Sequence, residues 1–328
     1  MTDAIAIIGA GMAGASAARL LREAGHPVAV FDKGRGIGGR MATRRLPGGP
    51  SFDHGAQYMT ARDPAFAADL AAMAASGAAA PWGEEGWWVG APGMPEPVRH
   101  LLGPCSVTTG CTVSRLTREE GGWTLSDGDG RRLPGRFRSV LLTAPAPQAK
   151  ALAGSAGAGW SALDAWLDRV RYAPCWTLML SHEGGPAFAQ THRRDRDPAA
   201  PIAWIARDAT KPGRSGGRET LVVHASPAWS RAHLEEERPA IAERLLAELR
   251  RMPGLALPPP GGLGEPHVHR WRYAMVEQAL DEPCLWSPDL RLGVAGDGCL
   301  GGRVEAAYLS GRALAERVLA DSDRAPET

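Results

Sequence analysis

Apolar and polar positions follow two periods along this chain, and the first forty-five residues set its frame. Ala4-Ile5-Ala6-Ile7-Ile8 is a short, continuous apolar run, the pattern of a strand buried on both faces. Glycines come at once in Gly9-Ala10-Gly11-Met12-Ala13-Gly14. Ala17 to Ala24 is built of helix formers and stops at Gly25. A second apolar run, Val28 to Phe31, ends at Asp32. Strand, glycine turn, helix, strand and acid together make the setting in which G-x-G-x-x-G reads as a dinucleotide site. Gly9 permits the tight turn, Gly11 lets a pyrophosphate approach the backbone, and Gly14 lets the helix pack close to the sheet. The helix N-terminus then faces the phosphates, and Asp32 can accept both ribose hydroxyls.

Beyond this unit the pattern predicts a helix over 64–76, with Phe66, Leu70 and Met73 on one face. A tryptophan-bearing hairpin is expected over 81–90. A strand is expected from Thr108 to Leu116, and further strand at 123–125 and 140–144. The small residues 154–159 read as a loop and 162–170 as a helix. Runs at 175–180, 202–206 and 220–225 have the β-branched and aromatic content of an antiparallel sheet. His192 to Asp197 reads as a solvated loop, Leu234 to Met252 as one amphipathic helix, and Pro258 to Gly262 as a stiff connector. His267 to Tyr273 alternates as one strand. A last strand ends at Gly296-Asp297, with a helix from near Gly302 to about Ala320.

With 328 residues the chain suits one large or two intertwined domains. Its 37 basic and 36 acidic residues give no reason to expect nucleic acid or an anionic membrane as partner. Five scattered cysteines without a C-x-x-C pair fit reduced thiols and a cytoplasmic location. No apolar run is long enough to span a bilayer, and the apolar N-terminus reads as a strand rather than a signal peptide.

The residues beyond Asp32 narrow the choice. Lys33-Gly34-Arg35-Gly36-Ile37-Gly38-Gly39-Arg40-Met41-Ala42-Thr43-Arg44-Arg45 is a second glycine-rich stretch, and Phe52-Asp53-His54-Gly55-Ala56-Gln57-Tyr58 comes after it. Together they resemble the flavoproteins of the amine-oxidase superfamily, most of all its bacterial renalase-like branch. Gly296-Asp297 before the last helix is a further match. The resemblance implies an α/β fold: a Rossmann-like FAD-binding domain with an interleaved antiparallel-sheet substrate domain, in the p-hydroxybenzoate hydroxylase/amine-oxidase-like architecture. The FAD-binding domain would take residues 1–80, 101–150 and 274–328, and the substrate domain 81–100 and 151–273. Non-covalent FAD is the implied cofactor. It would be held by Gly9, Gly11, Met12, Ala13, Gly14, Asp32, Lys33, Gly39, Arg40, Met41, His54, Gly55, Ala56, Gln57, Val113, Gly296, Asp297, Arg303 and Val304. Cys299 is nearest to a covalent anchor by position, though a small core thiol suits it better.

Two enzyme chemistries stay open. Amine oxidases of the superfamily often place a lysine near flavin N5. This chain has three lysines: Lys33 in the ribose loop, Lys150 on a helix after Pro147, and Lys211 in a loop. Renalase-like enzymes instead oxidise 2- or 6-dihydro isomers of NAD(P). The hydride goes to flavin N5, O2 reoxidises the flavin to give H2O2, and rearomatisation makes a strong base unnecessary. The supply of residues here agrees better with that chemistry. A nicotinamide dinucleotide and O2 are then the partners, with no metal. Substrate-pocket candidates are Gln57, Tyr58, Trp204, Arg207, His224, Trp271 and Tyr273, and no residue is assigned a catalytic role. The basic run Arg207 to Arg214 either meets substrate phosphates or is an exposed loop. A non-catalytic FAD-binding protein is the third reading. Gly213-Arg214-Ser215-Gly216-Gly217 fits G-x-S-x-G but lacks the strand-to-helix setting of a nucleophile elbow. His267 and His269 have no third ligand spaced to join them.

Overall fold

The computed structural model of the chain describes residues 4–157, 161–214 and 217–322. Strand β1 (Ile5–Ile8) is buried throughout, helix α1 (Met12–Glu23) comes next, and β2 (Val28–Phe31) returns parallel to β1 with Ile5 opposite Val28. A 3-10 turn at Gly39–Met41 leads into a short antiparallel ribbon, β3 (Thr43–Arg45) and β4 (Ser51–Asp53). Helix α2 (Pro64–Ala75) is capped by the Asp63 carboxylate, which accepts from the Ala65 and Phe66 amides. Phe66, Leu70 and Met73 are its buried face, as their spacing predicts. The tryptophan hairpin is β5 (Ala79–Pro81) with β6 (Trp88–Gly90), and α3 (Glu96–Leu102) comes after it.

The next segment departs from expectation. Thr108 to Leu116 is not one strand. Gly110, at φ +68°, turns the chain between β7 (Ser106–Thr108), which pairs parallel with β2, and β8 (Val113–Glu119), which pairs antiparallel with β9 (Gly122–Asp127). Strand β10 (Ser139–Leu142) then inserts on the other side of β1.

Helices α4 (Ala146–Gly154) and α5 (Ser161–Leu167) are next, the first extending one residue into the expected loop; residues 158 and 159 of that loop lie outside the described residues. Strands β11 (Arg171–His182), β12 (His192–Arg194), β13 (Ile202–Arg207) and β14 (Glu219–Ala225) succeed them. Helices α6 (Pro227–Ala232) and α7 (Arg238–Arg251) lead to β15 (His267–Gln278). The five strands form an antiparallel sheet in the order β12-β13-β14-β11-β15. Ile241, Leu245 and Leu249 of α7 cover its outer face against Trp176, Leu178, Leu180 and Val223. Two expectations change here. The helix read from Leu234 starts at Arg238, where Pro239 suits a first turn. The stretch at His192 is an edge strand rather than a loop, because its backbone pairs with β13.

Strands β16 (Leu285–Ser287) and β17 (Leu292–Val294), the unanticipated short helix α8 (Asp297–Leu300) and α9 (Val304–Ser322) close the chain. The first sheet thus has six strands, β16-β17-β10-β1-β2-β7, with β16 antiparallel to the rest. Chain end and chain start meet because β17 pairs with β10, β10 with β1, and α9 packs across α1. No helix among the described residues is long and apolar enough to cross a membrane.

Candidate active site

The ends of β1, β2 and β17 come together at one edge of the six-stranded sheet. Gly11 caps α1 without any side-chain hydrogen bond, and no acidic side chain lies in the first turn. A Cβ on Gly11 would meet nothing nearer than the Gly38 carbonyl oxygen, at 4.0 Å. The first amides of α1, which carry Met12, Ala13 and Gly14, therefore face open backbone surface, as an anion requires. The Asp32 carboxylate accepts from the amides of Ala10 (2.7 Å) and Gly34 (2.6 Å). Each of its oxygens keeps a lone pair for a hydroxyl. Lys33 is exposed beside it. The start of β8, where Val113 lies, is tied to this loop through Gly110 N to Gly34 O and Cys111 N to Asp32 O.

The second glycine-rich stretch is stitched to the first, Gly38 N donating to Ala10 O. Gly39, Arg40 and Met41 make the 3-10 turn, with Met41 buried. Arg40 crosses to the far end of the chain and holds Asp297 in a bidentate pair, both distances 2.6 Å. A Cβ on Gly296 would have no neighbour within 4 Å, so the backbone there also faces open space. Arg303 contacts Glu305 at 3.3 Å. The buried Glu305 carboxylate accepts from the Arg62 and Asp63 amides, the latter at 2.7 Å, which fixes α9 beside Val304. An uncapped helix start, an acid at the end of β2 and two glycine cradles joined by Arg40 and Asp297 fit an extended dinucleotide such as FAD.

Ala56 N donates to Arg40 O, which ties the segment His54 to Tyr58 to the Arg40 backbone, while the Arg40 guanidinium itself reaches the carbonyls of Tyr273 and Ala274 on the antiparallel sheet. His54 O receives Thr177 Oγ1 (3.1 Å) and Trp271 Nε1 (2.9 Å). Register places Trp204, His224, Thr177 and His269 in one row across β13, β14, β11 and β15, on the face opposite α7. His54 meets His269 and Trp271 at ring distances of 4.9 and 5.0 Å. Burial, with help from neighbouring cations, lowers the pKa of His54, His224 and His269 to about 4 each. Beside them Tyr58 stacks on Trp87 at 3.7 Å, and His192 stacks on Trp204 at 4.7 Å.

Sequence reasoning missed a buried ion cluster. Lys211, fully buried, lies 2.7 Å from Asp208 Oδ1 and 3.1 Å from Asp53 Oδ2, and 5.2 Å from the centre of the Trp82 ring. Arg214 also pairs with Asp53. Burial pushes Asp53 up, but the Lys211 and Arg214 charges outweigh it and hold the carboxyl at about 2. Burial and the Asp53 charge raise Asp208. The run Arg207 to Arg214 is therefore not an exposed basic loop. Gln57 is enclosed as well: its Nε2 donates to the carbonyls of Asp53 and Gly55, and its Oε1 accepts from Lys211.

Of the pocket candidates, Tyr58, Trp204, His224 and Trp271 lie in the layer where the His54–Tyr58 segment packs on the sheet. Tyr273 lies further along β15, its carbonyl near Arg40 and its ring beside Tyr172. Arg207 does not join them. The two-residue period of β13 puts it on the opposite face from Trp204, where it makes a bidentate pair with Glu219. His192 was not among the candidates, and Trp87 came in only as one of the hairpin tryptophans that either line a ligand cavity or pack the hairpin. Nothing in the local sequence of either residue points to Trp204; only the fold brings them there.

Residues 7–72 match the NAD(P)-binding Rossmann-like domain model, and residues 82–319 match the model for flavin-containing amine oxidoreductases. Among solved structures, the chain is similar to a protein from Exiguobacterium sp. 255-15 provisionally named a protoporphyrinogen oxidase. The TM-score is 0.73 at 12% identity, covering 99% of this chain and 100% of that one. It is also similar to cyclohexylamine oxidase from Brevibacterium oxydans IH-35A, with TM-score 0.69, 14% identity and coverage of 99% and 100%. A variant of a putrescine oxidase redesigned in its cofactor binding gives TM-score 0.68 at 14% identity, covering 96% and 98%.

Proposed function

The chain belongs to the flavin-containing amine oxidoreductases and is an FAD-dependent oxidoreductase, and from that premise we propose that it oxidises isomeric dihydronicotinamide dinucleotides, as the renalase-like branch does. The observation that carries this reading is the charge around the layer between the His54–Tyr58 segment and the sheet. Each buried carboxylate beside it already has a cation: Asp53 and Asp208 share Lys211 and Arg214, and Asp297 has Arg40. None is free to receive an ammonium group. Near the edge strand β15, by contrast, the charges of Arg238, at the start of α7, and of Arg44, on β3, both act on His269, and neither has an ion-pair partner among the described residues. An anionic substrate suits that edge and a cationic amine does not.

Bound FAD supplies the two-electron acceptor for a hydride leaving the substrate ring. The amides at the start of α1 hold its pyrophosphate, Asp32 its adenosine ribose, and the Arg40–Asp297 pair ties the loops around the rest. The dihydropyridine becomes an aromatic pyridinium, so no residue has to remove a proton from carbon. That agrees with a site whose buried lysine, Lys211, is locked between two carboxylates. Dioxygen is the terminal acceptor: dihydropyridine, O2 and one proton give pyridinium and H2O2. The solved relatives named above as oxidases support this choice.

Oxidation of a small amine is the second reading. The stacked faces of Tyr58 and Trp87 favour it, since aromatic rings attract cations. Anaerobic mixing separates the two. The 2- and 6-dihydro isomers of NAD(P) should bleach the flavin absorbance, ordinary NADH and amines should not, and admitting air should return the colour with peroxide. Bleaching by amines alone overturns the proposal.

A further inference from the structure

Trp204 and His224 are cross-strand partners on the face of the sheet that meets the His54–Tyr58 segment, and each carries a shielded ring nitrogen without a partner among the described residues. Trp204 is only 8% exposed, and its Nε1–H is the unpaired group. An indole nitrogen can only donate, so it calls for an acceptor. On His224 the unpaired atom is Nε2. The ring's hydrogen bond to the His54 backbone raises its basicity, as donation to a carbonyl does. That bond takes the Nδ1 proton and leaves Nε2 with a lone pair. Burial, with the nearby Lys211 charge, keeps the ring neutral, its pKa lowered to about 4.

We propose that Trp204 Nε1–H and His224 Nε2 form a donor–acceptor pair that reads the carboxamide of the substrate's nicotinamide ring. The carbonyl oxygen accepts from Trp204, and the amide N–H donates to His224. Flat rings surround the donor: His192 stacks on the Trp204 ring at 4.7 Å, and Tyr58 and Trp87 lie 5.9 Å from it, so a planar group entering here would meet ring faces. An alkylammonium can only donate, so it would satisfy His224 and leave Trp204 buried and unpaired. The inference rests on the dihydronicotinamide reading and goes beyond it by naming which chemical group is recognised and by which atoms.

Equilibrium titration of the flavin-loaded enzyme tests it, with binding read from the perturbed flavin absorbance. The probes are NAD+ and its 3-acetylpyridine analogue, which keeps the carbonyl and lacks the N–H. Wild type should prefer NAD+ by roughly three- to tenfold, the worth of one neutral hydrogen bond. Trp204→Phe should weaken both probes alike. His224→Phe should weaken NAD+ only, so that the preference falls to near one, and His224→Gln, which can still accept, should restore part of it. An unaltered flavin spectrum in each variant reports an intact fold. If the wild-type preference persists in His224→Phe, or if Trp204→Phe leaves both affinities unchanged, the pair serves the fold or a trapped water and the inference fails, although oxidation of the isomers still stands. If the wild type neither binds NAD+ nor is bleached by the isomers, the functional reading itself has failed.

Discussion

Lys211 shows how far a residue's surroundings decide its part. In a short polar run it looks like a solvated charge, yet the fold places it between Asp53 and Asp208 with its side chain shut off from water. Removing one partner of a buried pair leaves a charge uncompensated. Asp53→Asn should therefore destabilise the protein by about 3–5 kcal/mol in denaturant titrations; a loss under about 1 kcal/mol would show that the cluster tolerates imbalance. The three buried histidines His54, His224 and His269 make a second prediction. Their folded pKa values, about 4, lie below the ordinary 6.5. The unfolded chain thus binds more protons between those values. Their contribution is complete above pH 6.5 and is lost as pH falls toward 4. The midpoint for unfolding should accordingly drop between pH 7 and pH 5, before most carboxylates titrate, and a flat profile over that range would contradict the burial of these rings. Arg44 and Arg207 form a contrast. Arg44→Ala should raise KM for a dinucleotide by several-fold, on the scale of one charge-assisted contact, while Arg207→Ala, on the outer face and paired with Glu219, should leave KM unchanged.

At the scale of elements, α1 is a packing surface and, on the proposed FAD site, a ligand surface too, and its glycines separate the two. A methyl group on Gly14 would run into the Gly9 carbonyl, whereas one on Gly11 meets only Gly38 O at 4.0 Å. Gly14→Ala should lower the melting temperature even without cofactor. Gly11→Ala should melt like wild type as apoprotein yet hold FAD more weakly, as measured by retention of yellow colour on dialysis. Equal effects of the two changes on the apoprotein would mean that Gly11 also packs. The α1–α9 contact is tighter still, since a Cβ on Gly311 would overlap the Ala13 backbone. The elements themselves were legible where one period ran unbroken, as in β1, α1, α2 and β14. Legibility failed where a single residue changed the outcome. Gly110 split one apolar run into two strands of different sheets, and Pro239 delayed the start of α7. The strand at His192 was hidden because an edge strand needs only backbone partners, which polar residues supply as well as apolar ones.

Across the whole molecule, the first and last quarters of the chain build one cradle and the antiparallel sheet roofs it. If Arg44 and Arg238 steer an anionic substrate to that roof's β15 edge, kcat/KM for a dinucleotide should fall as salt is raised and change little for a neutral dihydropyridine fragment. Identical salt responses would argue against steering.

The sequence alone determined the parallel core, the glycine turn, the acid at Asp32 and the closing Gly296-Asp297. These depend on neighbours within a few residues, where hydrogen-bonding period and glycine spacing act directly. The bidentate Arg40–Asp297 clasp, the neutralised carboxylates and the pairing of Trp204 with His224 were decided only by tertiary structure. Each joins residues with no local signal of one another, and a charge or an indole N–H acquires its role only when folding removes its water and chooses what replaces it.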